Sequence, residues 1–190
     1  MLGINTKKAM GVGQVFIFIM AALTFSLILI FGYKTIIGFI SSGEDVAFIQ
    51  FKEGLEDSIK SIYTEYRAYR LEAFNLPGVY ESICFIDLDY DGDDKEQLVD
   101  GLRSKNALAA SVWEDAADYS EADQNVFLTP TAKVPIKVHN IEIYLDGVDE
   151  GSKVGFDCMD IKRSSFQMEL EGRGDKTRIS LKKGVVIQED

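Results

Sequence analysis

Residues Val15 to Tyr33 (VFIFIMAALTFSLILIFGY) hold no charge and no proline, and only Thr24, Ser26 and Gly32 interrupt their large apolar side chains. As a helix with a 1.5 Å rise per residue, the stretch is about 28 Å long, the thickness of a bilayer's hydrocarbon core. A helix at the surface of a soluble domain carries a polar stripe at 3.6-residue spacing; this one is apolar on every side. Thr24 and Ser26 are tolerated in lipid because each hydroxyl can bond a carbonyl one turn back. The sequence therefore predicts a single membrane-spanning helix.

Lys7 and Lys8 precede the span, no acid occurs before Glu44, and Lys34 follows at once. The excess of positive charge on the N-terminal side places that end in the cytoplasm and everything beyond about residue 34 outside the cell membrane. All 31 Asp and Glu but only 18 of the 20 Lys and Arg lie beyond Lys8, a net −13 for that part of the chain. Such an acidic exterior excludes nucleic acid as a partner and disfavours anionic lipid headgroups.

The apolar run is longer than the 7–15 residues of a secretory signal and lacks an Ala-x-Ala site at its end, so the segment reads as an anchor. Lys7-Lys8, then Gly13-Gln14-Val15, then an unbroken apolar helix resemble the class III signal peptide of archaeal type IV pilin-like surface proteins. The resemblance covers roughly residues 7–33. It implies cleavage between Gly13 and Gln14 by a prepilin-type peptidase, and a homo-oligomer in which the apolar helices pack in a filament core. Two features depart from that pattern: Ala9 to Val12 separate the lysines from Gly-Gln, and Phe18 stands where the mature pilin usually has an acid. A permanent, uncleaved anchor with a ligand-binding head is the alternative.

Residues 1–14 form a leader or cytoplasmic tail and residues 15–40 the transmembrane helix, with Tyr33 and Lys34 as interface anchors. Residues 41–76 form an amphipathic helix, begun afresh at Ser41–Asp45 by a capping box or continuous with the span through Gly43. Phe48, Phe51, Leu55, Ile59, Ile62, Tyr66 and Tyr69 recur at intervals of 3 or 4 over residues 44–74, one apolar stripe flanked by charges. Asn75-Leu76-Pro77-Gly78 ends it.

Residues 77–190 then change to a two-residue period. Strands are expected at 82–87, 125–129, 135–145, 154–161, 165–171 and 177–182, with a bulge or turn at His139-Asn140. The Ala-rich stretch 95–118 reads as one or two short helices pinned by Trp113. The expected fold class is α+β: a long N-terminal transmembrane and amphipathic helix, then a mostly antiparallel sheet packed on it as an extracellular head.

Cys84 and Cys158 each fall within a strand and neither belongs to a CxxC. In an exported domain they are expected to form a disulfide, free thiols being the alternative. Asp87, Asp89, Asp91, Asp93 and Glu96 place carboxylates at every second position around Gly92, the oxygen-rich pattern of a Ca²⁺ loop, although Leu98 stands where an EF-hand loop has its bidentate Glu. A solvated acidic turn is the competing reading. Arg173-Gly174-Asp175 spells a tripeptide read by adhesion receptors, but Gly and Asp are also ordinary hairpin residues. His139, the only histidine, has no nucleophile elbow, and there is no phosphate loop or HExxH. No catalysis is expected, and no cofactor beyond a calcium ion.

Overall fold

The structure is a computed structural model and describes residues 12–116, 118–148, 151–161 and 164–182. It divides into two units, Met1–Asp45 and Val46–Asp190. One helix, α1 (Val12–Tyr63), supplies the described part of the first unit and the start of the second. The backbone is helical through Ser41–Asp45, where a fresh start was one of two expectations. Extending a formed helix is cheaper than nucleating another, and one Gly costs only about 1 kcal/mol.

In the second unit, Phe48, Phe51, Leu55, Ile59 and Ile62 are buried. Their 3, 4, 4, 3 spacing keeps them on one side of α1, as the stripe predicts. The expected continuation through Tyr66 and Tyr69 does not occur. Those side chains are 67 % and 51 % exposed, the helix ends at Tyr63, and residues 69–75 form a strand, β1 (Tyr69–Asn75). The stop comes from the opposite end of the chain. The Gly174 N–H donates to Tyr63 O at 2.7 Å, the Thr177 hydroxyl donates to Ile59 O at 3.1 Å, and the Arg67 N–H donates to Gly172 O at 2.8 Å. The first two place donors on carbonyls of the last helical turns, and the third ties the chain just past the helix to the end of β7. Arg67 takes a φ of +64°, the left-handed conformation that turns the chain back into β1.

Seven further strands and two further helices complete the described head: β2 (Ser82–Ile86), α2 (Lys95–Lys105), α3 (Ala107–Asp115), β3 (Val126–Thr129), β4 (Ile141–Leu145), β5 (Ser152–Val154), β6 (Phe156–Asp160), β7 (Ser165–Gly172) and β8 (Thr177–Lys182). A five-stranded sheet runs β1-β7-β8-β4-β5 and a three-stranded sheet runs β3-β2-β6. Among the described strands only the β4–β8 pairing is parallel. The head is thus α+β and mostly antiparallel, packed on the helix as expected, with two sheets rather than one.

The two sheets follow from the burial of β2 on both faces. Ile83 and Phe85 join the α1 stripe and the inward residues of the large sheet, Phe166, Met168, Leu170, Ile141, Ile143 and Ile179, in the main core. Cys84 and Ile86 point the other way, into a second core with Leu102, Ala109, Ala110 and Trp113 from α2 and α3. Strand β2 therefore reads as a continuous apolar run, whereas the one-sided β7 and β8 alternate. The outer face of the large sheet carries Glu142 of β4, Glu169 and Glu171 of β7, and Arg178 and Lys182 of β8.

The single strand expected over 154–161 is two strands in different sheets, divided at Gly155. A Cβ there would lie 2.3 Å from the ring of Trp113, which is wholly buried. Close approach of backbone to indole is what requires glycine. The phase change at His139-Asn140 is also present: Ile136 and Val138 are buried outside any regular strand. Their backbone is held partly by Asn125, whose Oδ1 accepts from the Val138 N–H at 2.9 Å and whose Nδ2 donates to Val138 O at 3.3 Å.

Cys84 and Cys158 are directly opposed on β2 and β6 and disulfide-bonded, as expected. With a sequence separation of 74 between the two positions, the loop-entropy model gives the bond about 4 kcal/mol of stability. Reduction should lower the unfolding free energy of the full chain in detergent by about that amount, read by urea titration of the single tryptophan, Trp113. In the same assay Gly155→Ala should destabilise by about 1–3 kcal/mol through overpacking. Gly54→Ala, where nothing lies within 4 Å of the new methyl, should be neutral or slightly stabilising.

The acidic loop and its ion-pair lattice

Strand β2 delivers the acidic loop. Its last residue, Ile86, is anchored in the second core, so Asp87 follows without leaving the interior and has no exposed surface. The Asp87 N–H donates to Gly155 O at 2.8 Å, and Asp87 Oδ1 accepts from the Asp89 N–H at 3.1 Å. No side chain or backbone group donates a hydrogen bond to Oδ2; its neighbour is the Lys153 ammonium on β5 at 3.6 Å. Burial pushes the Asp87 carboxyl up to about 6, against the pull of Lys153 and Lys176.

Asp89 sits two residues on, half-buried, and behaves in the opposite way. Burial opposes its charge too, but the Tyr119 N–H donates to its Oδ1 at 2.9 Å, the Asn140 amide donates to its Oδ2, and Lys176 lies at 3.7 Å. Together these hold its carboxyl below the usual range.

Glu142 of β4 ties the two halves together. It lies 3.4 Å from Lys153, 4.0 Å from Lys176 and 3.5 Å from Arg178. Arg178 extends the chain of contacts to Glu171 at 3.6 Å, and Arg173 reaches the other oxygen of Glu171 at 3.4 Å. The lattice thus contains Asp87, Asp89, Glu142 and Glu171 against Lys153, Lys176, Arg173 and Arg178: four acids and four bases. It is electrically balanced without a metal ion.

Of the five carboxylates expected around a cation, two belong to this lattice. Asp87 and Asp89 already face ammonium and amide partners, and Asp91, Asp93 and Glu96 project into solvent. Among the described residues, no three His, Cys, Asp or Glu side chains come together in a way that could hold a metal ion. The even spacing of the carboxylates fails as a ligand pattern because the loop does not wrap. The Tyr90 hydroxyl donates to Asp94 at 2.7 Å, which raises the tyrosine to about 12, and Lys95 at once begins α2.

The remaining singled-out residues have structural places. Arg173-Gly174-Asp175 is the β7–β8 turn, in which Gly174 (φ +92°) caps α1 and Arg173 pairs with Glu171. His139 stacks on Tyr63 with ring centroids 4.0 Å apart. Gln14 is exposed in the first turns of α1, and Gly13 is helical beside it; Lys7 and Lys8 lie outside the described residues. Residues 14–36 of α1 are long and apolar enough to cross a membrane, with mean hydropathy 2.7 over their most apolar window and none of that window buried. The hydroxyls of Thr24, Ser26 and Thr35 all donate to carbonyls three or four residues back.

Sequence reasoning missed the basic half of the lattice. The available signal was the two-residue alternation that places Glu142 and Arg178 on the same sheet face in paired strands. No protein family, curated protein or solved structure matches this chain.

Because the folded-state carboxyl of Asp87 lies above its ordinary 3.8, the native protein takes up a proton that the unfolded chain releases. Ionised Asp87 therefore lowers stability above about pH 6, and that loss is recovered as pH falls towards 4. Asp89 and Glu169, both held low, act in the reverse sense and withdraw stability below about pH 4. Urea titrations at pH 7.5 and pH 4.5 should show wild type gaining about 1–3 kcal/mol relative to Asp87→Asn. Equal pH dependence in the two proteins would remove Asp87 as the source.

Proposed function

We propose that this protein is a pilin-like structural subunit of a cell-surface filament, inserted with its N-terminus in the cytoplasm and its acidic head outside. The supporting observation is the division of labour along α1. Residues 14–36 present apolar side chains on every side with no covering from their own chain, and residues 48–62 form the central stripe of the head's core. A helix of the first kind meets either lipid or copies of itself. The hydroxyls of Thr24, Ser26 and Thr35 are satisfied internally, and its other polar side chains, Gln14, Tyr33 and Lys34, lie near its two ends, so its middle can exchange lipid for protein neighbours without leaving a donor unpaired. Packing between such helices rests on dispersion contacts from side chains such as Phe16, Leu23, Phe25 and Ile30. The role is mechanical, with no catalytic step.

A second reading has its own observation in favour. Gly13 and Gln14 are helical, since α1 begins at Val12, whereas a peptidase takes its substrate extended. On that reading the chain is never processed and the head is held permanently at the membrane as a binding module.

The intact mass of the protein from its native membrane fraction separates the two. Loss of the first thirteen residues, leaving Gln14 at the N-terminus, is the result expected for the filament subunit, together with sedimentation of the processed form in high-molecular-weight material. A mass that retains Met1, Lys7 and Lys8 would remove the filament reading and leave the anchored module.

A further inference from the structure

An open groove of about 560 Å³ lies against α3. Leu108, Val112 and Pro135 give it apolar walls, and Asp115 and Asp123 line it with carboxylates. Among the described residues no Lys, Arg or His lines it. Its volume falls within the range of ligand sites, and its chemistry calls for an occupant that is apolar along its body and positive at one point.

The same head displays a group of that description. At the α1–β1 turn, Tyr66 is 67 % exposed and the exposed Arg67 holds its guanidinium 5.8 Å from the Tyr66 ring. Arg67 makes no ion pair among the described residues. The turn is braced from below by the Arg67 N–H to Gly172 O and by the Ala68 N–H to Glu65 O at 2.9 Å, so it projects already ordered. Tyrosine and arginine are the side chains that most often dominate protein interfaces, and a preordered turn loses little entropy on docking.

We infer that the groove beside α3 seats the Tyr66–Arg67 turn of a second copy of this chain. The inference rests on the filament reading for its partner and adds a specific lateral contact between heads. The two surfaces differ, so the contact is heterologous: each copy offers one turn and one groove, and assembly continues without closing on a pair. Arg67 would face Asp115 and Asp123 with the tyrosine ring against Leu108 and Val112.

The test places p-benzoylphenylalanine at Tyr66 of the full chain in its native membranes. After illumination, cross-linked peptides are identified in a mixture of isotope-labelled and unlabelled chains. The expected product joins position 66 of one copy to segment 108–116 or 121–135 of another. Its yield should fall about tenfold or more with Arg67→Glu and recover when Asp115→Arg and Asp123→Arg are added, because like charges at an interface repel strongly. Cross-links only within one chain, cross-links to other segments, or a yield indifferent to charge reversal would each overturn the inference. The filament reading fails separately, on an unprocessed N-terminus, whether or not this product forms.

Discussion

Five side chains on one side of α1, Phe48, Phe51, Leu55, Ile59 and Ile62, are the surface on which the head closes. Both sheets contribute to the same core around that stripe, the large one through alternate residues of β7, β8 and β4 and the small one through Ile83, Phe85, Val126 and Leu128. Because β2 is buried on its other face as well, the second core with α2 and α3 depends on the first being in place. Apolar burial contributes about 25 cal/mol per Å². A fully buried aliphatic such as Leu55 or Ile59, with no exposed surface, is therefore among the positions where truncation to alanine does most harm. Register follows from the same stripe: a one-residue slip of β7 would turn Phe166, Met168 and Leu170 outward and Gln167 and Glu169 into the core.

The helix also needs an end, and the end comes from residues over a hundred positions away. Thr177 and Gly174 bond its last carbonyls, and Gly172 packs so tightly that a Cβ would lie 2.0 Å from Ile62 O. This long-range closure explains which parts of the sequence were legible. The apolar helix over 15–33 was readable because it is a local run of large apolar side chains without a polar stripe. The stripe to Ile62 was readable because it is local. The continuation through Tyr66 and Tyr69 kept the right spacing and was still wrong, since a seven-residue ladder with β7 and the hairpin's capping bonds outweigh local propensity. Residues 69–75 also alternate, with Phe74 turned inward and Tyr69, Leu71 and Ala73 outward, but that signal competes with the helical one over only seven positions.

The ion pairs of the acidic loop were hidden from the sequence for a related reason. Carboxylate spacing is visible in sequence; the ammonium groups that meet those carboxylates are not, because Lys153 of β5 and Lys176 in the turn before β8 lie about 60 to 90 residues later. Of the candidate site, the disulfide was legible, since a chain with two cysteines offers each one possible partner. The lattice could be found only by pairing β4 with β8, and that pairing is the one parallel contact among antiparallel neighbours.

Charge balance in the lattice has a consequence for the rest of the surface. Four of the head's cations are used there, and others are matched one by one: Lys52 with Glu56, Arg70 with Glu65, Arg103 with Glu114 and Lys182 with Glu169. Exposed pairs of this kind add little stability, about 0–1 kcal/mol each, but they neutralise the positive charge they involve. The protein's net −11 is therefore expressed by acids left over, such as Asp91, Asp93 and Glu96 on the loop and Asp115 and Asp123 at the groove. On a surface of that sign neighbouring heads repel at a distance, within a screening length of about 8 Å at physiological salt. Close packing of copies then requires a local exception to the general repulsion. Arg67, held out on a left-handed turn beside an exposed tyrosine, supplies positive charge where an acidic neighbour can reach it.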